Sequence, residues 1–154
     1  MGVEIERKFL VRDDGWRSGV TEHRMVRQGY LATDDTTTVR VRIAGDEAWI
    51  TIKGKAEGLR RAEFEYAIPV SEADELMELC RGRVVEKVRH IVPQTPHVWE
   101  IDVFGGSNAG LVVAEIELDS EDEAVELPAW IGKEVSDDSR YLNARLAVHP
   151  CSRW

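Results

Sequence analysis

The sequence lacks any apolar run of the eighteen or so residues that a membrane-spanning helix needs. It also lacks the apolar stretch of a signal peptide after its charged start, which predicts a cytoplasmic protein. Basic surface is missing too. The formal net charge is −9 over 154 residues, and affinity for a nucleic-acid backbone needs an excess of lysine and arginine. Neither a membrane nor a nucleic acid is expected as a partner. Cysteine is scarce: Cys80 and Cys151 lie far apart and match no zinc or redox spacing. Both read as reduced thiols. The histidines His23, His90, His97 and His149 include no i, i+4 ligand pair. Internal repeats, low-complexity tracts and linkers are absent, and the length suits one domain over 1–154 with a real core.

What the chain has instead is charge, and it is patterned. Asp, Glu, Lys and Arg make up 32% of the residues, against roughly a quarter in an average globular domain. Period-two alternation predicts eight strands: Val3–Arg12, Met25–Ala32, Thr37–Ala44, Ala48–Lys53, Arg61–Val70, Val84–Val92, Val98–Phe104 and Leu111–Leu118. Turn residues separate them at Gly45-Asp46, Gly54–Gly58, Pro93–Pro96 and Gly105–Gly110. Three helices are expected. One starts at a capping box in Ser71–Asp74 and ends near Arg81 before Gly82; a second covers Ser120–Leu127; a third runs from Asp137 or Asp138 to about Val148.

Side chains two apart on a strand share a face. One face of these strands collects Glu4/Glu6/Lys8, Arg40/Arg42, Lys53, Arg61/Glu63/Glu65, Lys87/Arg89, Glu100/Asp102 and Glu115/Glu117, with Gln28/Tyr30 and Thr51 among them. The other face is apolar, with Ile5, Phe9, Val39, Val41, Ile43, Ile50, Ile52, Phe64, Ile101, Val103, Ile116 and Leu118. A solvated sheet face accounts for charged alternation in general. Here, however, the signs are segregated strand by strand and few neutral polar residues intervene. Eight antiparallel strands can close into a barrel, which puts one face inside. A charged interior needs compensation among its own groups and by a ligand. A polyanion carrying a divalent metal complements both signs, since arginine and lysine bind phosphate oxygens and carboxylates hold Mg²⁺ or Mn²⁺.

The ordered set Glu4-Ile5-Glu6-Arg7-Lys8, Arg27–Leu31, Arg40-Val41-Arg42, Thr51-Ile52-Lys53, Glu63-Phe64-Glu65, Glu86–Arg89, Glu100–Phe104, Glu115-Ile116-Glu117 and Arg140–Asn143 resembles the CYTH family, the triphosphate tunnel metalloenzymes. The resemblance covers almost the whole chain and is nearest to the short bacterial inorganic triphosphatases. It implies an α+β fold that is mainly antiparallel β: an eight-stranded closed barrel with a polar interior and flanking helices. It also implies metal-dependent hydrolysis of a triphosphate, here tripolyphosphate to pyrophosphate and phosphate. Glu4, Glu6 and one or both of Glu115 and Glu117 are then expected to hold Mg²⁺ or Mn²⁺. Lys8, Arg40, Arg42, Lys53, Arg61 and Arg89 are expected to grip the phosphates.

The resemblance matches Lys87 and Tyr30 to a catalytic dyad. Neighbouring cations should depress the Lys87 pKa so that a neutral amine takes a proton from water, with Tyr30 orienting it by a hydrogen bond. The plainer readings are a further phosphate clamp for Lys87 and barrel packing beside a turn at Gly29 for Tyr30. Glu63, Glu65, Glu100 and Asp102 either hold a second metal or pair with the arginines, pairing being favoured for Glu63. Within the same family a class IV adenylyl cyclase or a thiamine triphosphatase is the competing enzyme. The latter wants an apolar platform, for which Trp16, Trp49, Trp99 and Trp130 are candidates beside their plainer role in packing. A polyphosphate-binding module without turnover is the non-enzymatic alternative. A P-loop is excluded, because Leu111-Val112 stands where Lys-Ser/Thr is required after the Gly105–Gly110 run. Composition allows either a monomer or a homodimer.

Overall fold

The computed structural model describes residues Gly2–Trp154. Nine strands form: β1 (Val3–Val11), β2 (Glu22–Thr33), β3 (Thr37–Ala44), β4 (Glu47–Gly54), β5 (Arg60–Ile68), β6 (Val84–Gln94), β7 (His97–Phe104), β8 (Val112–Glu117) and β9 (Ile131–Glu134). Two α-helices accompany them, α1 (Val70–Glu78) after β5 and α2 (Asn143–Val148) after β9. All pairings are antiparallel, in the ring order β5-β4-β3-β2-β6-β7-β8-β1, and β1 returns to pair with β5. Eight strands therefore close a barrel. The expected strands are all present, with ends shifted by no more than a few residues.

The ninth strand was not expected. On one edge β1 pairs with β8 from Glu6 to Leu10. The other edge is shared between β5, opposite Val3–Ile5, and β9, opposite Phe9 and Val11. A bulge lies between those last two residues. β9 is four residues long and too short to show alternation, and its role is to satisfy the part of the β1 edge that β5 leaves behind.

The helices differ from the sequence reading in three places. α1 begins at Val70 behind Pro69, whose carbonyl accepts from the amides of Glu72 and Ala73, so Ser71 is not a cap. The segment 120–127 is not helical. Its polar side chains bond locally, Ser120 Oγ to Asp122 and the Asp119 amide to Glu123, while His97 of β7 holds Glu123 from across the chain. Such short-range bonds compete with helix formation. The third helix is broken at Leu142, which is extended (φ −65°, ψ 133°) between a 3₁₀ turn at Ser139–Tyr141 and α2.

With charge inside, the apolar contacts lie mostly outside the ring. Ile5, Phe9, Trp99, Ile101, Ala114 and Ile116 form an outer core with Trp16, Leu118 and Ile131, and Trp130 packs on it. α1 lays Ala73 and Met77 on Val41 and Ala48. It leaves Phe64 and Tyr66 on β5 about half exposed. One end of the barrel departs from the expected all-charged interior. There the inward residues are apolar (Leu10, Val85, Phe104, Val113), and Tyr141 and Leu146 pack against them, so α2 plugs that end.

Gly29 sits mid-strand in β2, opposite Val41 and Val84, and not at a turn. Its requirement is close approach: a Cβ there would stand 2.5 Å from Cys80 Cβ and 2.9 Å from Met77 Sδ. Gly29→Ala must push α1 off the wall, and we expect a loss of about 1–3 kcal/mol in urea denaturation.

Candidate active site

Alternation along each strand carries the charged residues into one cavity of about 270 Å³. It is lined by Glu4, Glu6 and Lys8 of β1, Tyr30 of β2, Arg40 and Arg42 of β3, Lys53 of β4, and Arg61, Glu63 and Glu65 of β5. Lys87 and Arg89 of β6, Glu100 of β7, and Glu115 and Glu117 of β8 complete the wall, with Leu142, Asn143 and Ala144 at the α2 end. Of the site residues read from the sequence, only Asp102 lies behind this surface. Counting round the ring, strands four places apart face each other, so β3 with its arginines stands opposite β8 with its glutamates.

Many of these charges neutralise each other. Lys53 Nζ lies 2.7 Å from Glu4 and 3.5 Å from Glu63. Lys8 lies 3.7 Å from Glu115, and its ammonium also donates to the Tyr141 carbonyl at 3.2 Å. Arg40 donates to Thr51 Oγ1, which donates in turn to Glu65. Arg89 grips Asp102 with two bonds of 2.8 and 2.9 Å and also reaches Glu100 and Glu115, both at 3.3 Å. Lys87 Nζ donates to the second Asp102 oxygen at 2.7 Å. Asp102, Glu63, Glu65 and Glu100 thus all serve as ion-pair partners.

What is left over is informative. Among the described residues Arg42 and Arg61 have no ion pair: Arg42 donates to Gln28 Oε1 and Arg61 to the Gly54 carbonyl. Arg40 Nε is buried with no partner. Among the described residues neither Glu6 nor Glu117 has an ion pair either. Burial, with Glu115 and Glu4 nearby, pushes Glu6 up to about 7. Burial raises Glu4, and burial with Glu4 and Glu100 raises Glu117. Glu115 behaves in the opposite way: burial would raise it, but Lys8 and Arg89 outweigh burial and hold it at about 2. Among the described residues no three carboxylates already form a metal cage. The donor set nevertheless fits a hard cation, because crowded, partly unpaired carboxylates are what such an ion compensates.

Lys87 stands where the charged cavity meets the apolar plug. Its side chain is 1% exposed and its Nζ lies 5.6 Å from the Phe104 ring centroid. Burial, helped by Arg89 and Arg42 and opposed by Asp102 and Glu115, lowers its pKa to about 7. Burial therefore exceeds the neighbouring cations that the sequence pointed to. Asp102 restrains the drop only partly because Arg89 already shares its charge. The partners of Lys87 are Asp102 and Asn143 Oδ1, the latter at 3.0 Å. Tyr30 does not take the expected direct bond to Lys87; its hydroxyl accepts from Gln28 Nε2 at 2.9 Å. Gln28 and Asn143 carry no functional role in the sequence reading, although Gln28 lies on its charged face and Asn143 ends the Arg140–Asn143 match. Gln28 shared a strand face with Tyr30, which was a usable signal, whereas Asn143 opens a short helix and had no periodicity to mark it.

The tryptophans form no platform in this cavity. Trp16 and Trp99 are fully buried in the outer core, Trp130 packs edge-on to Trp99, and Trp49 is not among the lining residues. The described helices include none long and apolar enough to cross a membrane.

Comparison with known proteins agrees with this geometry. The CYTH domain model matches residues 2–145. An inorganic triphosphatase of Acetivibrio thermocellus is 46% identical over 97% of this chain and 96% of its own length. Another from Nitrosomonas europaea is 40% identical, covering 95% and 97%. A crystal structure of an inorganic triphosphatase superposes with a TM-score of 0.70 at 38% identity, covering 94% of this chain and 97% of that one. A putative adenylate cyclase of Bacillus halodurans shares the fold, with a TM-score of 0.60 at 18% identity over 79% and 84% of the two chains. The chain belongs to the CYTH domain family.

Proposed function

We propose that this protein is an inorganic triphosphatase, hydrolysing tripolyphosphate to pyrophosphate and orthophosphate with a divalent metal, Mg²⁺ or Mn²⁺. The observation that carries the reading is the unmatched charge of both signs in one cavity: Arg40, Arg42 and Arg61 lack full partners, and so do Glu6 and Glu117. Triphosphatases of this family are metal-dependent. Glu4, Glu6 and Glu117, with Glu115, would hold the metal, which when bound neutralises phosphate charge and polarises the phosphoryl group.

Phosphoryl transfer gives the protein little covalent work, so positioning and electrostatics carry the rate. Arg40, Arg42, Arg61, Lys8, Lys53 and Arg89 hold the phosphate oxygens. Lys87, neutral above about 7, takes a proton from water as the water oxygen bonds to the terminal phosphorus. The bond from that phosphorus to the bridging oxygen breaks, and pyrophosphate leaves. An organic triphosphate fits less well, since Tyr30 is the single aromatic lining residue and α2 plugs one end of the barrel. We read the protein as a cytoplasmic domain spanning 1–154, monomer or homodimer, acting on a small diffusing anion without nucleic acid or membrane.

Glu6→Gln is expected to abolish metal-dependent turnover without lowering the melting temperature, because the charge it removes is unpaired; normal turnover would sink the metal assignment. Lys87→Ala should reduce kcat by about 10²–10⁴-fold while tripolyphosphate affinity changes by less than about tenfold. At saturating metal the wild-type kcat/KM should climb as pH rises through about 7, where Lys87 loses its proton, and that limb should disappear in Lys87→Ala. In a phosphate-release panel with Mg²⁺ and Mn²⁺, tripolyphosphate should exceed ATP and thiamine triphosphate in kcat/KM, and cyclic AMP made from ATP would overturn the assignment.

A further inference from the structure

Along the cavity wall, through the buried Gln28, runs a chain of hydrogen bonds whose sense can be read from one end to the other. It starts at Arg42, a side chain that can only donate. Arg42 Nε donates to Gln28 Oε1 at 2.9 Å. That contact fixes which end of the Gln28 amide is which, since a flipped amide would set an N–H against an N–H. Gln28 is fully buried, so it has no water with which to exchange partners. Its Nε2 is left to donate to the Tyr30 hydroxyl at 2.9 Å and to Asn143 Oδ1 at 3.3 Å. Asn143 Oδ1 in turn receives Lys87 Nζ at 3.0 Å.

Two consequences follow at the reacting end. A neutral Lys87 amine has two N–H bonds and one lone pair. Asp102 and Asn143 Oδ1 both accept, so they take the two hydrogens and leave the lone pair for the remaining direction, where the side chain lines the cavity. With the Asn143 amide reversed, its NH₂ would donate to that lone pair and block it. Tyr30 is constrained in the same way: its oxygen accepts from Gln28, so its own proton is free for the cavity.

We propose that Gln28 and Asn143 are positioning residues that aim the Lys87 lone pair and the Tyr30 proton into the cavity, with Arg42 setting the sense of both. The proposal rests on the reading of Lys87 as the base. The charged groups facing Lys87 are Asp102 on β7, Arg89 on β6, Glu115 on β8 and Arg42 on β3. Asn143 adds a neutral acceptor to them from α2.

Three variants test it, with melting temperature recorded for each. Asn143→Ala removes one acceptor and should lower kcat about tenfold with KM within about twofold, the worth of one lost orienting hydrogen bond. Asn143→Asp keeps the shape and the acceptor but sets an anion beside Lys87. It should move the acid limb of kcat/KM to higher pH if Lys87 is the group that titrates there, while the kcat loss in Asn143→Ala without a change in melting temperature separates positioning from a structural role. Gln28→Glu keeps the bond from Arg42 but offers Tyr30 and Asn143 only an acceptor, and should also lower kcat about tenfold. Wild-type kcat in Asn143→Ala and Gln28→Glu, with an unmoved limb in Asn143→Asp, would overturn the relay. If Lys87→Ala were still slow in that case, the base would stand without it. Wild-type turnover in Lys87→Ala would remove the base itself, and the relay with it.

Discussion

One carboxylate shared by two cations underlies the rest of this structure. Asp102 is fully buried and bound by both Arg89 and Lys87. A lone carboxylate at that depth would protonate; without it Lys87 would keep only the neutral Asn143 and Arg89 only its longer contacts to Glu100 and Glu115, and breaking such a buried pair costs about 3–5 kcal/mol. The triad carries one positive charge more than it neutralises, and burial favours losing that charge from the side that can give it up. Arginine does not deprotonate at ordinary pH, so the proton comes from Lys87. The pKa near 7 is thus a consequence of packing two cations against one anion beside the apolar plug, where Phe104 and the α2 contacts exclude water.

That arrangement inverts the usual organisation of a small β protein. Because the ring interior is charged, its hydrophobic contacts lie on the outer wall, under α1, and under the segment that carries Trp130 and Ile131. The plug is the exception, and it serves the site: Leu146 and Tyr141 close the barrel end while the break at Leu142 presents Asn143 to Lys87. Cavity charges without partners lower the stability of the empty protein, but they remain available to a ligand. Binding an anion and a metal cation supplies both sets at once and stabilises the folded state by mass action.

The barrel and its charged face were legible because strand alternation is a local property: Glu4 and Glu6, or Lys87 and Arg89, reveal their shared face at a spacing of two. What remained hidden depended on distant geometry. β9 is defined by the edge of β1 that needs a partner, not by its own four residues. The apolar inward residues Leu10, Val85, Phe104 and Val113 continue the same strands as the charged ones, and only the packing of Tyr141 and Leu146 on them reveals a closed barrel end. Pairing was equally invisible. Nothing in the sequence separates Glu115, held by Lys8 and Arg89, from Glu117, which has no such partner. The segment 120–127 misled because its acidic residues resemble a helix start while their side chains bond to nearby backbone and to His97.

In the proposed mechanism Arg42 connects substrate binding to base orientation. Its Nε is committed to Gln28, while its remaining guanidinium nitrogens have no protein partner among the described residues and border the cavity. A guanidinium is planar and rigid, so fixing one of its donors fixes the directions of the others. A phosphate oxygen held by those nitrogens therefore also steadies the Nε bond, and through it the Gln28 and Asn143 amides. Lysine at this position could hold a phosphate but could not transmit its orientation, because an ammonium rotates freely about its last bond. Burial beside Arg40 and Arg89 brings Arg42 down only to about 10, so it keeps its charge across the range in which Lys87 loses its own. In this reading the same side chain that recognises the anion also keeps the amine pointed at it.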